Sequence, residues 1–123
     1  MQKIIDCSCF VVAGSFKDES KYAYKILMAL SKKGKSAYPV NPKGGLVGAA
    51  KCYESLKEVP ARIEAVSLVT PPAVTEDIVK ECKEMKIKYV WMQPGAESSE
   101  AIEFCEKNGI QAIYRDCLYI KLL

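Results

Sequence analysis

Four short segments carry residue types suited to holding a phosphorylated small molecule: Gly14-Ser15, Asn41-Pro42-Lys43, Thr70-Pro71-Pro72 and Gln93-Pro94-Gly95. Gly14 lets backbone come close to a ligand, and Ser15 offers a hydroxyl. The helix that follows begins with unpaired amides and the positive end of its dipole, an arrangement that favours phosphate. A glycine turn whose cap merely closes the helix explains the same residues. The dinucleotide fingerprint Gly-x-Gly-x-x-Gly is absent.

The second segment discriminates better. A site for NAD usually places an acidic residue near the end of the second strand, where it bonds the ribose hydroxyls. This chain has Asn41-Pro42-Lys43 there. A lysine favours a ligand with an extra phosphate on or near its ribose, such as coenzyme A or NADP; the alternative is a solvated loop charge. Pro71 and Pro72 remove two amide donors and stiffen a helix start, leaving an apolar wall that suits an adenine or a pantetheine arm. Gln93-Pro94-Gly95 adds an amide side chain and a glycine, and reads equally as a turn.

These segments need a scaffold that brings them together. The apolar run Cys9–Ala13 reads as a strand buried on both faces. A helix is expected over Lys21–Lys33, with Ala23, Ile26, Leu27 and Leu30 inward, a cap from Asp18 to Ser20, and Gly34 at its end. Ser36–Val40 is a second strand. Ser55 and Glu58 stand at capping-box spacing in a short helical turn over Tyr53–Val59. Ala65–Val69 is the next strand, followed by a helix with Val74, Ile78, Cys82 and Met85 on one stripe. Tyr89–Met92 is a further strand. A helix capped by Ser98 or Ser99 then runs to Asn108, with Ala101, Ile102 and Cys105 inward, and Ile110–Tyr114 is the last strand. Strands alternating with helices at this spacing predict an α/β, Rossmann-like three-layer sandwich with a mostly parallel sheet of about five strands. Ligands bind beyond the carboxyl ends of such strands, where all four segments fall.

Composition limits the alternatives. One domain over residues 1–123 is expected from the length, and half of the residues are apolar, enough for a core. The net charge of +3 is small and the lysines are interspersed with glutamates, so nucleic-acid binding is not expected. No apolar run approaches the ~20 residues of a membrane span, and the first residues do not resemble a secretory signal, so a cytoplasmic location is expected. The six cysteines, Cys7, Cys9, Cys52, Cys82, Cys105 and Cys117, mostly sit within apolar patterns and read as buried free thiols. With no histidine and no Cys-x-x-Cys, no metal site is expected.

Val12-Ala13-Gly14-Ser15, Lys21-Tyr22-Ala23-Tyr24-Lys25, Tyr38-Pro39-Val40-Asn41-Pro42-Lys43, Trp91-Met92-Gln93-Pro94-Gly95 and Arg115-Asp116-Cys117 together resemble the small stand-alone CoA-binding domain family, over nearly the whole chain. That family is similar to the CoA-binding domain of the succinyl-CoA synthetase alpha subunit. The resemblance implies coenzyme A as the cofactor. Gly14 and Ser15 would hold the pyrophosphate, reinforced by Lys21 and Tyr24. Asn41, Pro42 and Lys43 would meet the ribose and its 3′-phosphate; Thr70, Pro71 and Pro72 would flank the adenine or pantetheine; Gln93, Pro94 and Gly95 would close the cleft. The chain departs from the pattern at Ala23, where many members carry a serine. Cys117 matches a family cysteine and is the candidate for redox chemistry, as a mixed disulfide with CoA or a protective thiol; a buried structural thiol is the plainer reading.

The pattern favours a non-catalytic CoA-binding module, regulatory or thiol-protective. The alternatives are an NADP-linked enzyme or an acyl-CoA-related enzyme or subunit using the same cleft. The related ligases use a phosphohistidine, which a chain without histidine does not supply. A homodimer or another protein partner stays open, because surface complementarity is not legible in one sequence.

Overall fold

A computed structural model describes residues Met1–Leu123. The elements run α1 (Gln2–Ile5), β1 (Cys9–Gly14), α2 (Tyr22–Lys32), β2 (Ser36–Val40), a small hairpin of β3 (Leu46–Val47) and β4 (Ala50–Lys51), a 3-10 turn (Leu56–Glu58), β5 (Ala65–Val69), α3 (Pro72–Glu84), β6 (Tyr89–Met92), α4 (Ser99–Lys107), β7 (Gln111–Ile113) and α5 (Leu118–Leu122). Five strands form one parallel sheet in the order β2-β1-β5-β6-β7. The α/β, Rossmann-like expectation is met.

Alternation along each strand assigns its side chains to the two faces. Val11, Ala13, Val66, Leu68, Val90 and Met92 pack with Val79 and Cys82 of α3 and Ala101 and Cys105 of α4. Phe10, Val12, Ala65 and Trp91 pack on the other face with Ile26, Leu27 and Leu30 of α2, Ile4 of α1, and Leu118 and Leu122 of α5. Because both faces are covered, the central strands are almost wholly apolar, with Ser67 of β5 the buried polar exception.

Pro39 lies inside β2, an edge strand. Its carbonyl accepts from Tyr53 N at 3.0 Å, on the side away from β1, so the missing N–H costs the ladder nothing. Asn41 N then donates to Tyr53 O, and the segment at Tyr53 covers the edge.

Four local expectations need correction. The α2 cap is not a side-chain cap: Lys21 is the cap residue, while the Asp18 carboxylate accepts from the amide and hydroxyl of Ser20. Ser55 and Glu58 bond through their side chains at 3.3 Å, rather than through the reciprocal backbone bonds of a capping box. The buried stripe of α3 is Thr75, Val79 and Cys82; Val74 is exposed and Ile78 half-buried, because the helix turns that edge toward a cleft. Cys117, expected as a buried structural thiol, is half-buried at the start of α5. The hairpin, α1 and α5 had no counterpart in the sequence reading. No helix is long and apolar enough to cross a membrane.

Candidate functional site at the strand switch point

The chain leaves β1 through α2 to reach β2 on one side, then crosses back to β5 on the other. The carboxyl ends of β1 and β5 therefore diverge into a crevice, the place where open parallel sheets bind ligands. Two cavities occupy it. One, of about 410 Å³, runs between the ends of β1, β2 and β5 and the first turns of α3; Gly14, Ser15, Asn41, Pro42, Thr70 and Pro71 line it. The other, of about 480 Å³, lies between the loop before α2 and the β2–β3 loop, and takes in Ser15, Lys17, Lys21, Asn41 and Lys43. Ser15 and Asn41 belong to both.

The chambers differ in chemistry. Val69, Pro71, Val74 and Ile78 make much of the first apolar, and Glu54, Asp77 and Glu81 give it carboxylates. The second gathers Lys17, Lys21 and Lys43, none of which forms an ion pair within the chain. An anion is electrostatically favoured in the second chamber and disfavoured in the first. A neutral, flat or extended group suits the first.

Asn41 joins the two. Its side-chain amide donates to the Gly14 carbonyl at 2.7 Å, and its Oδ1 accepts from Lys43 N at 2.9 Å. Gly44 N donates to Asn41 O, closing the turn, and Gly44 has a φ of +61°, which suits glycine. The loops after β1 and β2 are thus fastened by one side chain.

Gly14 owes its identity to packing. A Cβ there would lie 2.8 Å from Val69 O and 2.9 Å from Ala23 Cβ. The backbone approach it allows is that of α2 and β5, and the fully buried Ala23 is the residue that fits against it.

The chain matches the model of the CoA binding domain over residues 8–122. It belongs to the CoA-binding domain family. It is 28% identical over 120 residues to the acetate–CoA ligase (ADP-forming) II subunit alpha of Pyrococcus furiosus, an alignment covering 89% of this chain and 26% of the relative. It is 31% identical over 77 residues to the acetate–CoA ligase (ADP-forming) of Methanocaldococcus jannaschii, covering 63% of this chain and 11% of that protein. The chain therefore spans about a quarter or less of these curated relatives. Among solved structures, a conserved hypothetical protein from Pyrococcus furiosus superposes with a TM-score of 0.86 at 35% identity, covering 94% of this chain and 99% of its own. A dinucleotide-forming acetyl-coenzyme A synthetase from Candidatus Korarchaeum cryptofilum shares the fold, with a TM-score of 0.76 at 21% identity, over 90% of this chain and 26% of its own.

Not every residue of the family motifs reaches the crevice of this CoA-binding domain. Tyr24 lies in a groove between α2 and α5. Pro72, the first residue of α3, together with Pro94 and Gly95, is exposed and lines neither chamber. Gln93 is buried and turned to the C-terminal segment: its Oε1 accepts from Leu118 N at 2.7 Å, and its Nε2 donates to Cys117 Sγ at 3.2 Å. Trp91 Nε1 donates to Asp116 O at 2.8 Å. The Trp-Met-Gln and Arg-Asp-Cys motifs thus hold each other, and α5 with them.

Conversely, Glu54, Val74, Asp77 and Ile78 line the first chamber and Lys17 and Cys52 the second, and none was anticipated. The signal for the α3 residues was available: Val74/Ile78 is an i,i+4 pair one position before the buried Thr75/Val79, and Asp77/Glu81 is a second i,i+4 pair further round the same helix. All six cysteines are free. Burial holds the Cys82 thiol up to about 12 and that of Cys105 up to about 11, and raises Cys7, Cys9 and Cys52 as well. There is no group of metal-ligating side chains.

Proposed function

We propose that this chain binds coenzyme A across the two chambers as a non-catalytic module. The observation that carries the reading is the juxtaposition of an apolar chamber with a chamber bearing Lys17, Lys21 and Lys43, joined at Ser15 and Asn41. CoA has matching halves, a polyanionic 3′-phospho-ADP and a neutral pantetheine. In this reading the phosphates lie by the three lysines and Ser15, Lys43 meets the ribose 3′-phosphate, and Pro42, Thr70 and Pro71 flank the neutral part. Asn41 and Gly14 set the shape of the cradle. Cys117 lines neither chamber.

The test is calorimetric titration with CoA, dephospho-CoA and NADPH. CoA is expected to bind tightest and NADPH weakly or not at all. Lys43→Ala should weaken CoA by about 1–3 kcal/mol, the scale of one charge-assisted hydrogen bond, and leave dephospho-CoA nearly unchanged. Equal affinity for CoA and dephospho-CoA would remove the role of Lys43; absence of CoA binding would remove the proposal.

A further inference from the structure

A third cavity, about 520 Å³, lies between α2 and α5 and shares no residue with the two chambers. Tyr24, Met28 and Ala29 of α2 and Tyr119 and Leu122 of α5 make most of its lining apolar. Lys25, Lys32 and Lys33 line it too, with Leu123 at one end and Glu19 the one acidic side chain. The lysines that are interspersed with glutamates in the sequence are thus segregated in space: α2 and α5 contain Lys25, Lys32 and Lys121 and no acidic residue. Neither of the chain's two ion pairs, Lys57–Glu84 and Lys107–Glu103, involves a lysine of this groove. Large apolar side chains stay exposed on the same helices, among them Tyr22 at 53%, Met28 at 36% and Ile120 at 64%.

An apolar trough flanked by unpaired cations is complementary to a ligand with an apolar stripe flanked by carboxylates, the helix-in-groove mode of recognition. A second copy of the chain would set the same lysines against one another across a two-fold axis, which is repulsive. A bilayer surface is too flat to fill a concavity. We propose that the α2–α5 groove is a protein-docking site whose occupant is an amphipathic, acid-flanked helical segment of another protein.

The experiment uses the full chain, ¹⁵N-labelled, titrated with a fluorescent synthetic peptide of about five helical turns (~18 residues) bearing a leucine stripe flanked by glutamates. A second peptide carries lysines in place of the glutamates. Binding of the glutamate peptide should shift amide resonances of α2 and α5, and the lysine peptide should bind about tenfold more weakly, as the loss of several charge pairs implies. Lys25→Glu/Lys32→Glu, a change at surface positions, should reverse that preference, and Met28→Glu should weaken both peptides. CoA affinity should stay unchanged in all variants, which separates failure here from failure of the CoA reading. Circular dichroism confirms that each variant is folded. The proposal is overturned by equal affinity for the two peptides, by a preference that survives the charge reversal, or by shifts that lie away from the groove and its lining. It is overturned equally by association with phosphatidylcholine–phosphatidylglycerol vesicles in place of the peptide, or by self-association that Met28→Glu abolishes.

Discussion

The Asn41 side-chain amide donates to the Gly14 carbonyl at 2.7 Å, tying the turn after the edge strand β2 to the turn after the central strand β1. Its Oδ1 meanwhile accepts from Lys43 N, so one residue holds both the glycine turn and the lysine that faces the second chamber. The pairing makes Asn41 a positioning residue for both halves of the cradle.

Asn41→Asp replaces the donor by a carboxylate that cannot bond the Gly14 carbonyl and brings negative charge to a site proposed for phosphate. Stability should fall by about 1–2 kcal/mol, the scale of a part-buried hydrogen bond lost with its partner left in place. CoA affinity should fall further than in Asn41→Ala, which loses the same bond without adding charge. Urea denaturation and calorimetry on the two variants provide the comparison; equal affinities would confine Asn41 to holding the loops.

Gly14→Ala introduces a methyl 2.8 Å from Val69 O and 2.9 Å from Ala23 Cβ. Neither β5 nor α2 can withdraw without disturbing the core, so a loss of about 1–3 kcal/mol is expected, typical of overpacking. Ala23→Gly should recover part of it in the double variant, because it removes one of the two clashes and leaves the carbonyl. Thermal denaturation of the singles and the double measures the coupling. Simple additivity would show that the helix contact carries none of the strain.

The same contact marks where sequence reading stops. Strand positions and the parallel sheet were legible, because runs such as Ala65–Val69 have only one environment that suits them, burial on both faces. Gly14 was read as an opening for a ligand, since a sequence cannot tell a methyl excluded by protein from one excluded by a bound molecule. Val74 and Ile78 fall on one apolar stripe with Cys82 and Met85 for a similar reason: a stripe facing a cleft has the same composition as one facing a sheet. Gln93 was assigned to the ligand, yet its buried amide is taken up by Cys117 and Leu118, a partnership across 24 and 25 positions that no local pattern announces. The two-residue strands of the β3–β4 hairpin and the five residues of α5 are too short to carry a period.

Gln93→Leu keeps the bulk of a buried side chain but leaves Leu118 N, the first amide of α5, without its acceptor. A cost of about 1–3 kcal/mol is expected for an orphaned buried donor. The loss should be local, since α5 is short and held at this end by Gln93 and by the Trp91–Asp116 bond. Hydrogen exchange of α5 amides should accelerate before that of β1 and β5, and alkylation of Cys117 should quicken as its amide partner disappears. Uniform loss of protection over the whole sheet would contradict an anchoring role for Gln93.

Alkaline pH should destabilise the domain through Cys82. Its thiol is fully buried between α3 and the sheet, and loss of hydration raises its pKa from the ordinary 9.0 to about 12. Between those values the unfolded chain has released the proton and the folded chain retains it, so the unfolded state binds fewer protons and stability falls as pH rises. Below pH 9 the contribution is complete; above it, one such group removes up to about 1.4 kcal/mol per pH unit. Urea midpoints measured at pH 8, 9 and 10 should therefore fall more steeply for the wild type than for Cys82→Ala. The variant starts lower because of the cavity it creates, but lacks the titrating group. Parallel pH profiles for the two proteins would show that the buried thiol does not govern the alkaline limb.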